Sequence, residues 1–166
     1  MAKKLSAAIL LYRFRDGRLE VFLVHPGGPF WAKKDDGAWS LPKGEYLAED
    51  DALAVAKREF LEEVGQEVEG QLVPLTAIKQ PSGKVISAWA VKGDVDPTTL
   101  KSNTFSMEWP PKSGKQKEFS EIDRGEWFSP RTAKAKILPG QVGFIDQLLV
   151  LLNMAADSAD EHNMYS

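Results

Sequence analysis

The chain has 166 residues, 43% apolar and 27% charged, with a formal net charge of −3 and no cysteine. That length suits one domain able to bury its own core, and the acidic balance leaves no footprint for nucleic-acid phosphates. The absence of cysteine excludes a disulfide scaffold, a zinc–thiolate site and a cysteine nucleophile.

In chain order, the run Ala7 to Leu11 is too short to span a bilayer, and no small-residue cleavage site follows it. A cytoplasmic protein with no membrane or nucleic-acid partner is therefore expected. Leu5–Tyr12 and Leu19–His25 are apolar runs joined by Arg15-Asp16-Gly17-Arg18, and Asp-Gly between such runs signals a hairpin. Pro26 to Gly37 lacks any period and reads as a long loop, of a length usually kept for function. Trp39–Pro42 is expected to be extended, because the residue before proline is pushed out of the α region.

The clearest helix begins at Asp50 or Asp51 and runs to Val64. Leu53, Ala56, Phe60 and Val64 recur at helical steps, the two aspartates suit the N-terminus, and Gly65 suits a left-handed C-cap. Strands are expected over Gln71–Lys79 and Lys84–Val91, then at Thr104–Trp109 within an irregular Asp94–Lys117 region, and at Glu126–Phe128. A short helix over Arg131–Ile137 and an apolar terminal helix over Gln141–Met154 follow. The predicted fold is an α/β/α sandwich with a mixed β-sheet between helices. A single domain over 1–155 and a polar, frayed tail over 156–166 complete the expectation.

The chemistry concentrates on the clear helix. At about 100° per residue, Glu59, Glu62 and Glu63 share one face, turned about 110° from the apolar stripe. As an ordinary solvated face this is poorly arranged. Glu59–Glu62 and Glu59–Glu63 are like-charge pairs costing about 0.2–0.5 kcal/mol each, and they crowd the negative end of the helix dipole. A hard divalent cation reverses each penalty, and an all-oxygen donor set points to Mg²⁺ or Mn²⁺. Upstream, Gly44 follows a short strand, where a missing Cβ lets backbone approach a metal or phosphate.

The spacing of Gly44, Arg58, Glu59, Phe60, Glu62, Glu63 and Gly65 resembles that of the Nudix hydrolase family. Average residue usage puts chance coincidence of the six Gly, Arg and Glu positions at roughly one start in ten million. Two positions depart from the pattern: Asp50 stands for its first glutamate, and Gln66 for the aliphatic residue after Gly65. Asp50 is expected to close the loop rather than do chemistry.

The resemblance implies a Nudix-like fold and hydrolysis of a nucleoside diphosphate linked to another moiety, by water attacking phosphorus. It implies a metal set of Gly44, Glu59, Glu62 and Glu63, with Arg58 orienting the glutamates. For the general base it leaves a motif glutamate or a later acidic residue, and of Glu118 and Glu121 we favour Glu121. Lys43, in Pro42-Lys43-Gly44, resembles family members acting on dinucleoside polyphosphates, so the expected partner is a small nucleotide such as diadenosine tetraphosphate. Lys33 and Lys34, with Phe30 and Trp31, form a basic–aromatic cluster suited to a base and phosphates. Nucleoside triphosphates, nucleotide sugars and a non-catalytic binding module are the alternatives, and a homodimer is left open. His25 reads as structural.

Overall fold

The computed structural model describes residues 4–153. β1 (Leu5–Arg15) and β2 (Arg18–Pro26) form the expected hairpin, with Asp16 and Gly17 at φ 52° and 77° in its tight turn. The two strands pair from Tyr12↔Val21 to Arg15↔Arg18 and then part. The segment after the long loop enters this fork. Ser40 bridges Val24 of β2, and β3 (Lys43–Tyr46) pairs antiparallel with Leu5–Ala8 of β1. Gly44 is thereby set opposite Ala7, inside the sheet rather than on a free loop.

β4 (Val73–Pro74) and β5 (Ile78–Lys79) both pair with β6 (Val85–Lys92), which runs parallel to β1 along its other edge. The single strand expected over Gln71–Lys79 is thus two short ones. Pro74, lacking an N–H, ends the first. β7 (Thr104–Glu108) pairs with β8 (Gln116–Ser120) as a separate two-stranded hairpin. β8 falls in a polar stretch where no alternation announces it. β9 (Ile122–Phe128) starts earlier than expected and pairs antiparallel with β2, so the sheet is mixed and ordered β4-β6-β1-β2-β9.

The helices α1 (Ala52–Val64), α2 (Pro130–Lys136) and α3 (Val142–Leu151) cover both faces. Strand alternation sorts β1 between two cores. Ala7, Ile9 and Leu11 pack with Val55, Ala56, Phe60 and Val64 of α1, while Ala8 and Leu10 pack with Phe144, Ile145 and Leu148 of α3. Expected Met154, and the tail over 156–166, lie outside the described residues. Among the described residues no helix is long and apolar enough to cross a membrane.

One feature of α1 differs from expectation. Leu53 is only half-buried, whereas Val55 is buried at 3% exposure. Val55 lies about 40° from Glu59 around the helix, so the acidic side of α1 also looks into the molecule. Phe60, fully buried between α1 and the sheet, anchors this packing. Phe60→Ala is expected to cost about 3–5 kcal/mol in chemical denaturation, the range for an aromatic-to-alanine cavity.

Candidate metal and substrate site

α1 starts where the Asp51 carboxylate accepts the Leu53 N–H at 3.2 Å. It stops at Gly65, φ 80°, whose N–H returns to the Leu61 carbonyl at 2.8 Å. Asp50 closes the preceding turn as expected, its carboxylate accepting the Leu47 N–H at 3.0 Å. Gln66 has its own use. Its side-chain amide donates to the Asp96 carbonyl and accepts the Asp96 N–H, tying the helix end to the segment after β6.

With both ends fixed, the glutamates are held against β3. The Glu59 side chain is 19% exposed and crosses the backbone of Gly44. A Cβ at that glycine would stand 2.2 Å from Glu59 Cγ and Cδ, so any side chain would displace the carboxylate. Burial pushes the Glu59 carboxyl above its ordinary value, Glu62 adds to the shift, and Arg58, 3.6 Å from Glu59 Oε1, opposes it. Glu63 is pushed further, to about 8. Burial is again the main cause, opposed by the nearby Lys43 ammonium and by a hydrogen bond from the Lys43 backbone N–H. The same burial, with Lys84 close by, lowers the Lys43 ammonium.

Glu121 joins this group from the far side of the chain. It stands between β8 and β9, and its charge raises both Glu59 and Glu63. A ladder of backbone bonds holds it: Asn103 N–H to the Glu62 carbonyl (3.2 Å), Glu121 N–H to the Asn103 carbonyl (2.8 Å), and Gly27 N–H to the Glu121 carbonyl (2.8 Å). Glu118, by contrast, accepts the Thr104 hydroxyl on the hairpin.

A cavity of about 230 Å³ opens beside Glu63, lined by Trp31 and Lys43 together with Val24, Pro26, Ile122 and Leu138. Lys33 is exposed and outside this lining. It is Lys34 whose ammonium lies 5.0 Å from the centre of the Trp31 ring. A larger open depression, about 630 Å³, lies toward the β1–β2 turn, but its main cation is already engaged. There Arg13 pairs with Glu20 and Asp94, both at 2.8 Å, and stacks on Trp127.

Among the described residues no three carboxylate or imidazole groups close into a ready cage. Glu59, Glu62 and Glu63 share a side of α1 without converging on one point. The donors nevertheless fit a hard cation. They are all oxygen, two of the carboxyls are buried enough to resist ionising alone, and glycine clears the backbone approach. β8, which completes the β7–β8 hairpin beside the Gly28–Trp31 loop, is what sequence reasoning missed. Phe105 meets the backbone of Gly28, and Phe30 packs edge-on against Trp109 with centroids 5.7 Å apart. The alternation of Phe105, Met107 and Trp109 signalled β7; nothing in Gln116–Ser120 except Phe119 signalled its partner.

Comparisons with known proteins agree with this architecture. The NUDIX domain family model matches residues 2–148. An Ap4A hydrolase from C. elegans, solved as a binary complex, is similar at TM-score 0.61 and 17% identity, covering 89% of this chain and 98% of that one. The NUDIX domain of NrtR from Shewanella oneidensis, complexed with ADP ribose, gives TM-score 0.64 at 15% identity, covering 92% and 90%. A MutT structure from work on Aliivibrio salmonicida and Vibrio cholerae gives 0.52 at 14% identity, covering 89% and 96%. At these identities the likeness is one of fold. No curated protein matches the chain in sequence.

The Glu63 shift has a thermodynamic consequence. Between the ordinary value of 4.5 and about 8, the folded chain keeps a proton there that the unfolded chain has released. This contribution favours folding at low pH and is lost as pH rises through that window. Thermal unfolding of the metal-free protein is therefore expected to move to lower temperature across the window. Glu63→Gln should flatten that dependence.

Proposed function

This chain belongs to the NUDIX domain family and is a Nudix-type pyrophosphohydrolase; we propose that its substrate is a dinucleoside polyphosphate such as diadenosine tetraphosphate. The observation that carries the site reading is the contact between Glu59 and Gly44, a space only glycine leaves, with Glu63 buried alongside. Glu59, Glu62, Glu63 and the Gly44 carbonyl would hold Mg²⁺ or Mn²⁺, with Arg58 keeping Glu59 in place from its outer side. Bound there, the cation supplies charge neutralisation for the polyphosphate and a more acidic water.

The chain's own residues do the rest. Lys43, at the edge of the cavity, meets a phosphate with its ammonium, and Trp31 offers an aromatic wall to a base. Lys33, exposed on the same loop, adds charge for the outer phosphates. Glu121 takes the proton from the attacking water, its carboxylate being electrostatically coupled to Glu59 and Glu63. The substrate lean rests on Lys43 before Gly44 and on the fold likeness to an Ap4A hydrolase. A nucleotide-binding module without turnover is the second reading, favoured by the likeness to the NrtR domain in its ADP ribose complex. Intact Glu59, Glu62 and Glu63 argue against it.

The test incubates the protein with diadenosine tetraphosphate, nucleoside triphosphates, ADP-ribose, NAD⁺ and a nucleotide sugar, with and without Mg²⁺, and resolves products by anion exchange. Mg²⁺-dependent conversion of diadenosine tetraphosphate to ATP and AMP is expected. Loss of a different substrate would correct the leaving group and keep the mechanism, while binding without cleavage would favour the module. Glu62→Gln and Glu63→Gln are expected to lower turnover by orders of magnitude with circular dichroism unchanged; near-normal turnover in both would remove the metal assignment. Glu121→Gln is expected to abolish the acidic limb of the pH–rate profile. An acidic limb that survives would return the general base to the motif.

A further inference from the structure

His25 is the next-to-last residue of β2, and the β2–β9 register shifts between His25 and Pro26. Irregularities of this kind re-aim side chains near sites. The imidazole is 0% exposed, with Nε2 2.6 Å from the Lys34 carbonyl oxygen and Nδ1 2.9 Å from Asp123 Oδ1. A carbonyl only accepts, so Nε2 carries a proton. Nδ1 and Asp123 Oδ1 make the second hydrogen bond, so the two bonds together engage both ring nitrogens. Edge-on packing against Trp39, with centroids 5.1 Å apart, fixes the ring plane.

The two partners belong to different walls of the site. Lys34 closes the loop that carries Trp31: its N–H donates to the Trp31 carbonyl at 2.9 Å and its ammonium lies over the ring. Asp123 follows Glu121 and Ile122, and the Glu121 carbonyl accepts the Gly27 N–H at the start of that loop. We propose that His25, with Asp123, is a positioning residue that locks the Trp31 loop and the Glu121 segment at one separation, so that base wall and general base address the same substrate. This rests on the Proposed function reading of Trp31 and Glu121. A histidine that only filled space would need neither partner, and a phenyl ring would fill the same space.

That contrast supplies the test. His25→Phe keeps a flat ring against Trp39 and deletes both bonds. Amide hydrogen exchange by NMR is read at Gly27, Trp31 and Lys34, with Val24 and Val55 reporting sheet and helix. Protection at the three loop amides is expected to fall about tenfold or more, the size of one lost buried hydrogen bond, while Val24 and Val55 hold. With diadenosine tetraphosphate, KM is expected to rise about tenfold.

Asp123→Asn supplies the rescue, because its amide N–H donates to Nδ1 of a neutral ring that still donates from Nε2 to Lys34. Protection and KM should stay within about twofold of the parent. Asp123→Leu should loosen Gly27 much as His25→Phe does, and serves alone where His25→Phe does not fold. Unchanged loop protection in His25→Phe or Asp123→Leu overturns the proposal. So does equal loss at Val24 and Val55, which would mark a packing role, or an Asp123→Asn defect as large as that of Asp123→Leu. If the parent leaves diadenosine tetraphosphate intact, the substrate reading fails while amide exchange still decides the lock.

Discussion

Two carboxyl groups, Glu59 and Glu63, are pressed against the backbone of β3 in surroundings that disfavour their ionised forms. Water is largely withheld from them, and the cation beside Glu63, Lys43, is itself weakened by burial. A surface helix could relax such a conflict by swinging its side chains outward. Here Val55 and Phe60 hold α1 against the sheet on both sides of Glu59 and Glu63, so the conflict persists as a standing demand for positive charge. The rest of the molecule can be read as what keeps that demand in place.

The fork between β1 and β2 is the first condition. If the hairpin were zipped to its end, there would be no room for β3 beside Leu5–Ala8, and Gly44 would not lie beneath Glu59. The second is the ladder from Glu62 through Asn103 and Glu121 to Gly27. It uses a carbonyl near the helix end, one with no partner in the next turn, as the anchor for an acid far away in sequence. Local backbone chemistry therefore does long-range work, linking the end of one helix to two loops.

Legibility in the sequence followed the range of each interaction. The caps of α1 and its apolar stripe depend on neighbours within a few residues, and Asp51, Phe60 and Gly65 were readable as written. The closeness of the glycine at 44 to the glutamate at 59 was suggested by their fixed spacing within one stretch, and the strand–helix packing bears that closeness out. Val55 was not readable, since its burial is decided by β1 and β2 rather than by helix periodicity. Pro74 interrupts a run whose apolar content resembles one strand, and β8 is polar because it has a single neighbour and no core behind it. For Gln66, the departure from an aliphatic residue made sense only once Asp96 was seen beside it.

The β7–β8 hairpin is joined to the body mainly at its root, where Asn103 and Glu121 meet. Its far end, from Pro110 to Lys115, turns back through Lys112 at φ 62° and Gly114 at φ 73°, beyond that junction and beyond the Trp109–Phe30 contact. Length and composition at the far end are thus uncoupled from the geometry of the acids. Such an arrangement behaves as an interchangeable attachment: evolution or an engineer can lengthen, shorten or recompose the tip of the arm without moving the acids. The hydrolytic apparatus beneath need not be rebuilt each time.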